Sequence, residues 1–256
     1  MKNIGLRSFS AFVNGLLLLL SVNALMLSCK EENKQITRTI EAVRTEKALM
    51  ERTDTCNPII LYPHYNKIDL VCGNMPEKKD TTVVMCAAAC YTGECLKTFR
   101  HNNIAGDHVS GGVRYKGYGC KRNTGAFIYY GGEWRFVYRD YNHALDEAAR
   151  KGGMAFAQEL MIHNGKIMQT IREDDNRNQF RSLCQIGNRL CIIESNGIVN
   201  FAEYKNALLQ IGVSEALYID MGTGWNHAWY RYTTDSIVEL HPKKHEYCTN
   251  WITFYQ

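Results

Sequence analysis

Residues 180–220 read FRSLCQIGNRLCIIESNGIVNFAEYKNALLQIGVSEALYID, and they suggest a hairpin, a helix and a strand in succession. The apolar runs 180–186 and 189–194 are joined by Gly187-Asn188, the pattern of a two-residue hairpin loop. A loop of that length fixes the register of the two strands. Arg181 should therefore face Glu194 across the hairpin.

The same register places Cys184 opposite Cys191. The pair is either a cross-strand disulfide, which demands a specific geometry, or two small apolar side chains. The sequence favours neither alternative.

A helix and a strand should follow the hairpin. Asn200 can cap a helix, with Glu203 three residues later, and Gly212 should end it. Residues 216–219 then form a strand that ends at Asp220. A strand, a helix and a strand in one sheet imply a parallel pair with a right-handed crossover.

The upstream sequence predicts more hairpins and one more helix. Gly131-Gly132 separates two strand-like runs, and His163-Asn164-Gly165 separates two others. Residues 141–151 have the pattern of a helix ended by Gly152. The expected class is α+β, with a mixed sheet of hairpins, one right-handed β-α-β crossover and flanking helices.

The N-terminus resembles that of a bacterial lipoprotein. Residues 1–28 combine a basic start with an apolar stretch, which is typical of a signal peptide, and MLSC resembles a lipobox with Cys29 as the acylated residue. Residues 29–54 should form a tether or stalk helix, although the narrow apolar stripe of this segment could equally pack on the domain. Residues 55–256 should form the main domain. These assignments predict a membrane-anchored bacterial envelope protein on the periplasmic or outer surface.

Composition excludes several other classes. The 256 residues are 45% hydrophobic with a formal net charge of +4, so the chain should fold and carries no nucleic-acid footprint. With Cys29 reserved for lipid, nine of the ten cysteines remain, and at least one should be unpaired. Cys86, Cys90 and Cys95 lie close together but lack zinc-finger spacing, so disulfides or buried thiols are favoured. No metal and no cofactor is expected.

The predicted topology brings an acidic pair and an arginine to one edge of the sheet. Glu194 and Asp220 would both end parallel strands, and ligand crevices form at such edges. Arg181 begins the strand that faces Glu194. The loop after Asp220 adds glycines and polar groups, and its candidate substrate-binding residues are Gly222, Thr223, Gly224, Asn226 and His227.

These residue types suit chemistry on a phosphorylated sugar. An arginine offers a planar fork that matches phosphate oxygens. Glycines let backbone N–H groups approach an anion, and carboxylates act as acid, base or nucleophile at an anomeric carbon. Taken singly, Arg181 with Glu194 could be a surface ion pair, and Asp220 could cap its loop.

Four segments resemble, in order, those of the phosphodiester glycosidase domain family, which has lysosomal and bacterial members. They are GAFIYYGGEWRFV (125–137), FAQELMIHNGKI (156–167), FRSLCQIG (180–187) and IIESNGIVNFAEYKNALLQIGVSEALYIDMGTGWNHAWY (192–230). The resemblance covers about residues 80–256. It places the family's aspartate at Asp220, its arginine at Arg181 and its glycine-rich loop at Gly222 and Gly224. The chain differs at 89–91, where Ala-Cys-Tyr replaces an Asn-Gly-Gly or Asn-Ala-Gly turn.

The resemblance implies hydrolysis of the bond between a sugar's anomeric carbon and a phosphodiester. Arg181 would bind the phosphate, and Asp220 with Glu194 or Glu159 would serve as acid and base or nucleophile. The alternative is a catalytically inactive envelope lipoprotein of the same fold. It would bind a glycan or a protein partner through an aromatic rim of Tyr218, Trp225, Trp229 and Tyr230.

Overall fold

A computed structural model describes residues 48–54, 58–96, 98–222, 227–242 and 247–256, all within the unit Ala48–Gln256. The predicted signal peptide and Cys29 lie outside these residues, and so does most of the predicted tether. The last five residues of that segment, Met50–Asp54, form the first strand of a sheet.

The described elements are named here in chain order. The strands are β1 (Met50–Asp54), β2 (Ile59–Pro63), β3 (Lys67–Cys72), β4 (Val83–Ala88), β5 (His108–Ser110), β6 (Val113–Tyr115), β7 (Gly125–Tyr130), β8 (Glu133–Tyr138), β9 (Met154–Gln158), β10 (Leu160–His163), β11 (Lys166–Ile167), β12 (Arg177–Asn178), β13 (Arg181–Ile186), β14 (Arg189–Glu194), β15 (Val199–Asn200), β16 (Val213–Ile219), β17 (Ala228–Arg231), β18 (Ile237–Leu240) and β19 (Asn250–Tyr255). The helices are α1 (Asn142–Arg150) and α2 (Phe201–Gln210), with a short 3₁₀ turn at His101–Asn103.

Three main sheets carry the fold. One has seven strands in the order β1-β2-β14-β13-β16-β10-β11, and two have five strands, β18-β17-β4-β19-β3 and β6-β5-β9-β7-β8. Strands β12 and β15 form a separate pair. Within the described part of the chain, every ladder between named strands is antiparallel.

The predicted α+β class, with a mixed sheet and flanking helices, is therefore wrong. The protein is mostly antiparallel β-sheet, and the predicted crossover does not join neighbouring strands. Strand β13 lies between β14 and β16 and pairs with both. The first strand of the hairpin, β13, thus pairs with β16, and the second strand, β14, does not. Strands β14 and β16 still run in the same direction because each is antiparallel to β13.

The register of the β13–β14 hairpin is confirmed. Arg181 pairs with Glu194, and Cys184 pairs with Cys191. Both cysteines are free and fully buried, so the pair behaves as two small apolar side chains. Gly187 supplies the positive φ of +58° that the tight turn requires.

The upstream hairpins form, with one difference. Gly131-Gly132 joins β7 to β8, and Asn164-Gly165 joins β10 to a short β11. The strand-like run that precedes His163 is divided at Glu159, because β9 belongs to a five-stranded sheet and β10 to the seven-stranded sheet. Helix α1 forms where expected and is followed by Gly152 at φ +67°.

The core has layers on both faces of the seven-stranded sheet. One face contributes Leu183, Ile192 and Leu217 to the largest cluster, together with residues of the five-stranded sheets. The other face packs Ile193 and Tyr218 against α2, and the described partners from this helix are Phe201, Tyr204 and Leu208. Residues that alternate along one strand therefore enter two separate apolar layers.

Eight cysteines are described, and all are free thiols: Cys72, Cys86, Cys90, Cys95, Cys120, Cys184, Cys191 and Cys248. Cys86 and Cys90 are buried and Cys95 is exposed, which fits the buried-thiol alternative for the first two. Among the described helices, none has the length and apolar character needed to cross a membrane.

The start of α2 carries the expected capping box: the Asn200 side chain accepts the backbone N–H of Glu203, and the backbone N–H of Asn200 donates to the Glu203 carboxylate at 3.0 Å. Replacing Asn200 by Ala should lower the free energy of unfolding by about 1 kcal/mol, or the melting temperature by roughly 2–4 °C. Thermal and urea denaturation would measure this. Asn206→Ala, at an exposed position inside the same helix, is the control and should have little effect; equal losses in both variants would contradict the capping role.

Candidate functional site

A buried ion pair lies at the end of the seven-stranded sheet where β13 begins and β14 ends. Nε of Arg181 donates to a Glu194 carboxylate oxygen at 2.8 Å, and Nη2 lies 2.7 Å from the same oxygen. The other Glu194 oxygen contacts Nε2 of His241. Arg181 is fully buried and Glu194 is 3% exposed. The pair is therefore a core contact, which excludes the alternative of a surface ion pair.

The neighbouring Arg181 and His241 favour the ionised form of Glu194. Burial alone would raise the pKa of this carboxyl, but the Arg181 guanidinium and His241 more than offset that effect, so the pKa lies below its ordinary value of 4.5. Glu194 is thus an ionised partner whose two oxygens are already bonded. Its position suits structural support better than proton transfer.

Asp220 lies at the same end of the strands as this ion pair, but on the opposite face of the sheet. Arg181 is paired with Ile219, the last residue of β16, and successive side chains along a strand alternate between faces. Tyr218 points to the α2 layer, and Asp220 joins it in lining a cavity of about 240 Å³. The described lining residues are Tyr91, Thr92, Arg122, Arg172, Asn178, Tyr218, Asp220 and Gly222.

Asp220 is held in place by the backbone. Its own N–H donates to the carbonyl of Ala89 at 2.9 Å, and its Oδ1 accepts the N–H of Gly222 at 3.0 Å. Burial raises the pKa of Asp220 from 3.8 to about 7, although the Gly222 hydrogen bond and the charges of Arg172 and Arg181 act in the opposite direction. A carboxyl that titrates near neutral pH can exchange a proton during catalysis.

Arg172 is the arginine that reaches this cavity with a fixed geometry. Its Nη2 donates to the Tyr91 hydroxyl at 2.9 Å, and its guanidinium lies 4.6 Å from the centre of the Tyr218 ring. Only 9% of the side chain is exposed. Arg122, which is exposed, lies at the same cavity with its guanidinium 5.9 Å from the Tyr91 ring.

Glu159 serves the segment that carries Arg172. One oxygen of this fully buried carboxylate accepts the N–H groups of Ile171 and Arg172 at 2.8 and 2.9 Å. The other lies 3.7 Å from Nε of Arg172. Glu159 lies at the break between β9 and β10 and holds the backbone of Arg172 in position. It is absent from the described lining of the cavity.

The segment 89–91 lies beside Asp220. Tyr91 and Thr92 line the cavity, and the Asn250 side chain clamps Cys90 by accepting its N–H at 2.6 Å and donating to its carbonyl at 3.1 Å. Asn250 is fully buried. A side chain distant in sequence thus holds the backbone beside the cavity.

The other predicted site residues are distributed as follows. Gly222 lies at the cavity, whereas Thr223, Gly224 and Asn226 fall outside the described residues. His227 is buried, 3.3 Å from a Glu239 oxygen, and does not appear in the cavity lining.

The predicted aromatic rim needs correction. Its described members, Tyr218, Trp229 and Tyr230, are no more than 2% exposed and belong to the core. They present no exposed shelf on which a sugar ring could stack. Trp225 lies outside the described residues.

The described lining of the cavity combines two cationic side chains with one carboxyl of raised pKa. Two guanidinium groups can neutralise a phosphate and bind its oxygens in their planes. The carboxyl can accept a proton from water at neutral pH. This arrangement is suited to hydrolysis next to a bound phosphate.

Comparison with known proteins identifies a fold relationship. The chain is similar to the catalytic domain of zebrafish N-acetylglucosamine-1-phosphodiester alpha-N-acetylglucosaminidase, auto-inhibited by its pro-peptide, with 13% identity and a TM-score of 0.54 over 82% of this chain and 83% of that one. The two share a fold. A hypothetical protein from Synechocystis aligns over 81% of this chain and 61% of its own, with 9% identity and a TM-score of 0.46. Neither the protein-family models nor the curated proteins give a match to this sequence.

Replacing Glu194 by Gln should destabilise the protein by about 3–5 kcal/mol, because the buried Arg181 charge loses its counter-charge. Since the pKa of Glu194 is lowered on folding, its stabilising contribution is present above pH 4.5 and is lost as the pH falls. Urea denaturation between neutral and acidic pH measures both effects.

Glu133→Gln, at an exposed hairpin position, is the matched control and should be neutral. The double variant Arg181→Met, Glu194→Gln should be more stable than Glu194→Gln alone, because no charged pair member stays buried there. A double variant less stable than the single one would contradict this account of the ion pair.

Proposed function

We propose that the protein hydrolyses the bond between the anomeric carbon of a sugar and a phosphodiester. The observation that carries the proposal is the shared cavity of Asp220, Arg172 and Arg122, in which the pKa of the carboxyl is raised to about 7. Fold similarity to a phosphodiester glycosidase domain supports the same substrate class. The substrate would be a glycan phosphate or a related sugar phosphodiester.

Asp220 would act as the general base. In its ionised form it removes a proton from a water molecule whose oxygen attacks the anomeric carbon. The bond from that carbon to the phosphate oxygen breaks, and its electron pair leaves with the oxygen. The products are the free sugar and a phosphomonoester.

A single carboxyl among the described lining residues of the cavity is compatible with this reaction. The departing group is a phosphomonoester dianion whose conjugate acid has a pKa of about 6, far below that of a sugar hydroxyl, so its oxygen does not need to be protonated as it leaves. Arg172 and Arg122 can stabilise the charge that develops on it. This differs from hydrolysis between two sugars, where the departing alkoxide requires an acid and hence a second carboxyl.

The remaining predicted catalytic residues receive positioning roles in the proposal. Glu194 and Arg181 support the strand end that carries Asp220, and Arg181 adds a positive charge that acts on its carboxyl. Glu159 holds the backbone of Arg172. Phosphate binding is assigned to Arg172 and Arg122 in place of Arg181, because Arg181 is fully buried against Glu194.

Asp220→Asn should reduce turnover of sugar phosphodiesters by at least about 10³-fold, because the base is lost. In the wild type, kcat/KM should rise with pH through about 7 as Asp220 ionises. Release of phosphomonoester from nucleotide sugars and aryl sugar phosphodiesters provides the assay.

Asp175→Asn, at an exposed position, is the control and should retain full activity. The melting temperature of Asp220→Asn above pH 7 should equal or exceed that of the wild type, because the amide resembles the protonated carboxyl that folding favours. Tight binding of these compounds without turnover by the wild type would instead favour a non-catalytic binding protein.

Arg172→Lys should lower kcat/KM about tenfold, through a lower kcat as well as a higher KM, because a lysine cannot bind phosphate in a plane and keep the contacts that the Arg172 guanidinium makes with Tyr91 and Tyr218. Steady-state kinetics on the same substrates measures the effect. The control is Arg177→Lys, at an exposed strand position; an equal fall of kcat/KM in both variants would argue against a specific phosphate contact.

A further inference from the structure

Cys72, His101 and His108 form a compact cluster away from the cavity around Asp220. One potential ligand atom from each residue lies within 4.8 Å of the other two. Cys72 ends β3, His101 opens the 3₁₀ turn, and His108 begins β5. None of the three is among the described residues that line the Asp220 cavity.

The two imidazoles face each other through their ring nitrogens. Nδ1 of His101 lies 3.0 Å from Nε2 of His108. Metal–nitrogen bonds of about 2.0–2.1 Å at a tetrahedral angle place two ligand nitrogens about 3.3 Å apart. The separation therefore needs to widen by only a few tenths of an ångström to admit a metal ion.

A backbone contact selects the tautomer of His108. Its Nδ1 lies 3.3 Å from the carbonyl oxygen of Gly106, which can only accept a hydrogen bond. The proton therefore belongs on Nδ1, and Nε2 keeps its lone pair. Metal-bound histidines are commonly oriented by this kind of bond to a carbonyl. His108 is fully buried, so its ring cannot turn freely toward solvent.

The aromatic surroundings hold His101 in place. Its ring is stacked on Tyr115 with centroids 3.4 Å apart and an interplanar angle of 2°, and Phe99 contacts it edge-on at 4.8 Å. His101 and Cys72 are partly exposed. A metal ion at the cluster would therefore have an entry path, and a position open to water.

We propose that Cys72, His101 and His108 bind one zinc ion, with a water molecule as the fourth ligand. A thiolate and two imidazoles are soft or borderline ligands that favour late transition ions over Mg²⁺ or Ca²⁺. Zn²⁺ binding would release the thiol proton of Cys72 to solvent and form a zinc–sulfur bond.

The ion would cross-link three segments that already contact one another, for example where the Ser110 hydroxyl of β5 donates to the Leu70 carbonyl of β3 at 2.6 Å. Strand β3 belongs to one five-stranded sheet and β5 to the other, while His101 lies in the connection between β4 and β5. Because unfolding would disperse these ligands, zinc should stabilise the folded state. The role proposed is structural, and the reaction at Asp220 does not require it.

Titration of metal-free protein with Co²⁺ tests the site, since Co²⁺ takes tetrahedral sites and reports a sulfur ligand through a thiolate-to-metal charge-transfer band. One equivalent of Co²⁺ should produce the band, and Zn²⁺ but not Mg²⁺ should abolish it. Zinc at about 100 times its dissociation constant should raise the melting temperature by roughly 5–10 °C. Thiols should be kept reduced by a non-coordinating phosphine.

Two variants and one control localise the ion. Cys72→Ser should remove the charge-transfer band and weaken Zn²⁺ binding by more than the roughly 10–100-fold loss typical of an outer-shell change. Cys95→Ser, which removes an exposed thiol from the loop after β4, should keep both the charge-transfer band and the Zn²⁺ affinity.

His101→Gln separates zinc binding from folding, because His101 is partly exposed. This variant should match the stability of the metal-free wild type and bind zinc weakly. A band that survives in Cys72→Ser, or the absence of stoichiometric binding to the wild type, would overturn the proposal.

Discussion

The buried ion pair of Arg181 and Glu194 constrains the whole edge of the seven-stranded sheet. Arg181 pairs in register with Glu194 on one side and with Ile219 on the other. A guanidinium with no exposed surface must keep its carboxylate close, because an uncompensated buried charge costs several kcal/mol. The ends of β14 and β16 are thereby held on either side of one residue. The location of Asp220, one position beyond Ile219, follows from that pairing.

Because side chains alternate along a strand, the buried ion pair and the carboxyl of Asp220 lie on opposite faces of the sheet. Arg181 and Glu194 share the face of Leu183 and Ile192, whereas Tyr218 and Asp220 belong to the α2 side. The charges that stabilise the edge are sealed in the core, and the carboxyl that can titrate lies at the cavity. Arg172 reaches the same cavity from the segment before β13, where Glu159 fixes its backbone. Two carboxylates predicted to be catalytic thus bind arginines.

Local patterns predicted the hairpins, the helix starts and the pairing of Arg181 with Glu194, because loop length and capping residues act within a few positions. The order of strands was not predictable in the same way, since either strand of the β13–β14 hairpin could have paired with β16. Arg172 illustrates the limit for the site. It lies in a polar run after a short strand, and only tertiary contacts with Tyr91, Glu159 and Tyr218 bring it to the cavity. The Asn250 clamp on Cys90 joins positions far apart in the chain, so no sequence periodicity could indicate it.

Burial raises the pKa of Asp220, and the neighbouring arginines limit the rise. Two arginines act on this carboxyl, yet burial outweighs them and its pKa rises to about 7. Arg181 is already paired with Glu194, and Arg172 faces Glu159 and the rings of Tyr91 and Tyr218. The charge of each guanidinium is therefore partly neutralised by its own partner, which weakens its effect on Asp220. Were either counter-charge missing, the positive charge would hold Asp220 ionised at lower pH and make it a weaker base. The buried carboxylates thus tune the group that we assign to catalysis, although neither lies among the described residues of its cavity.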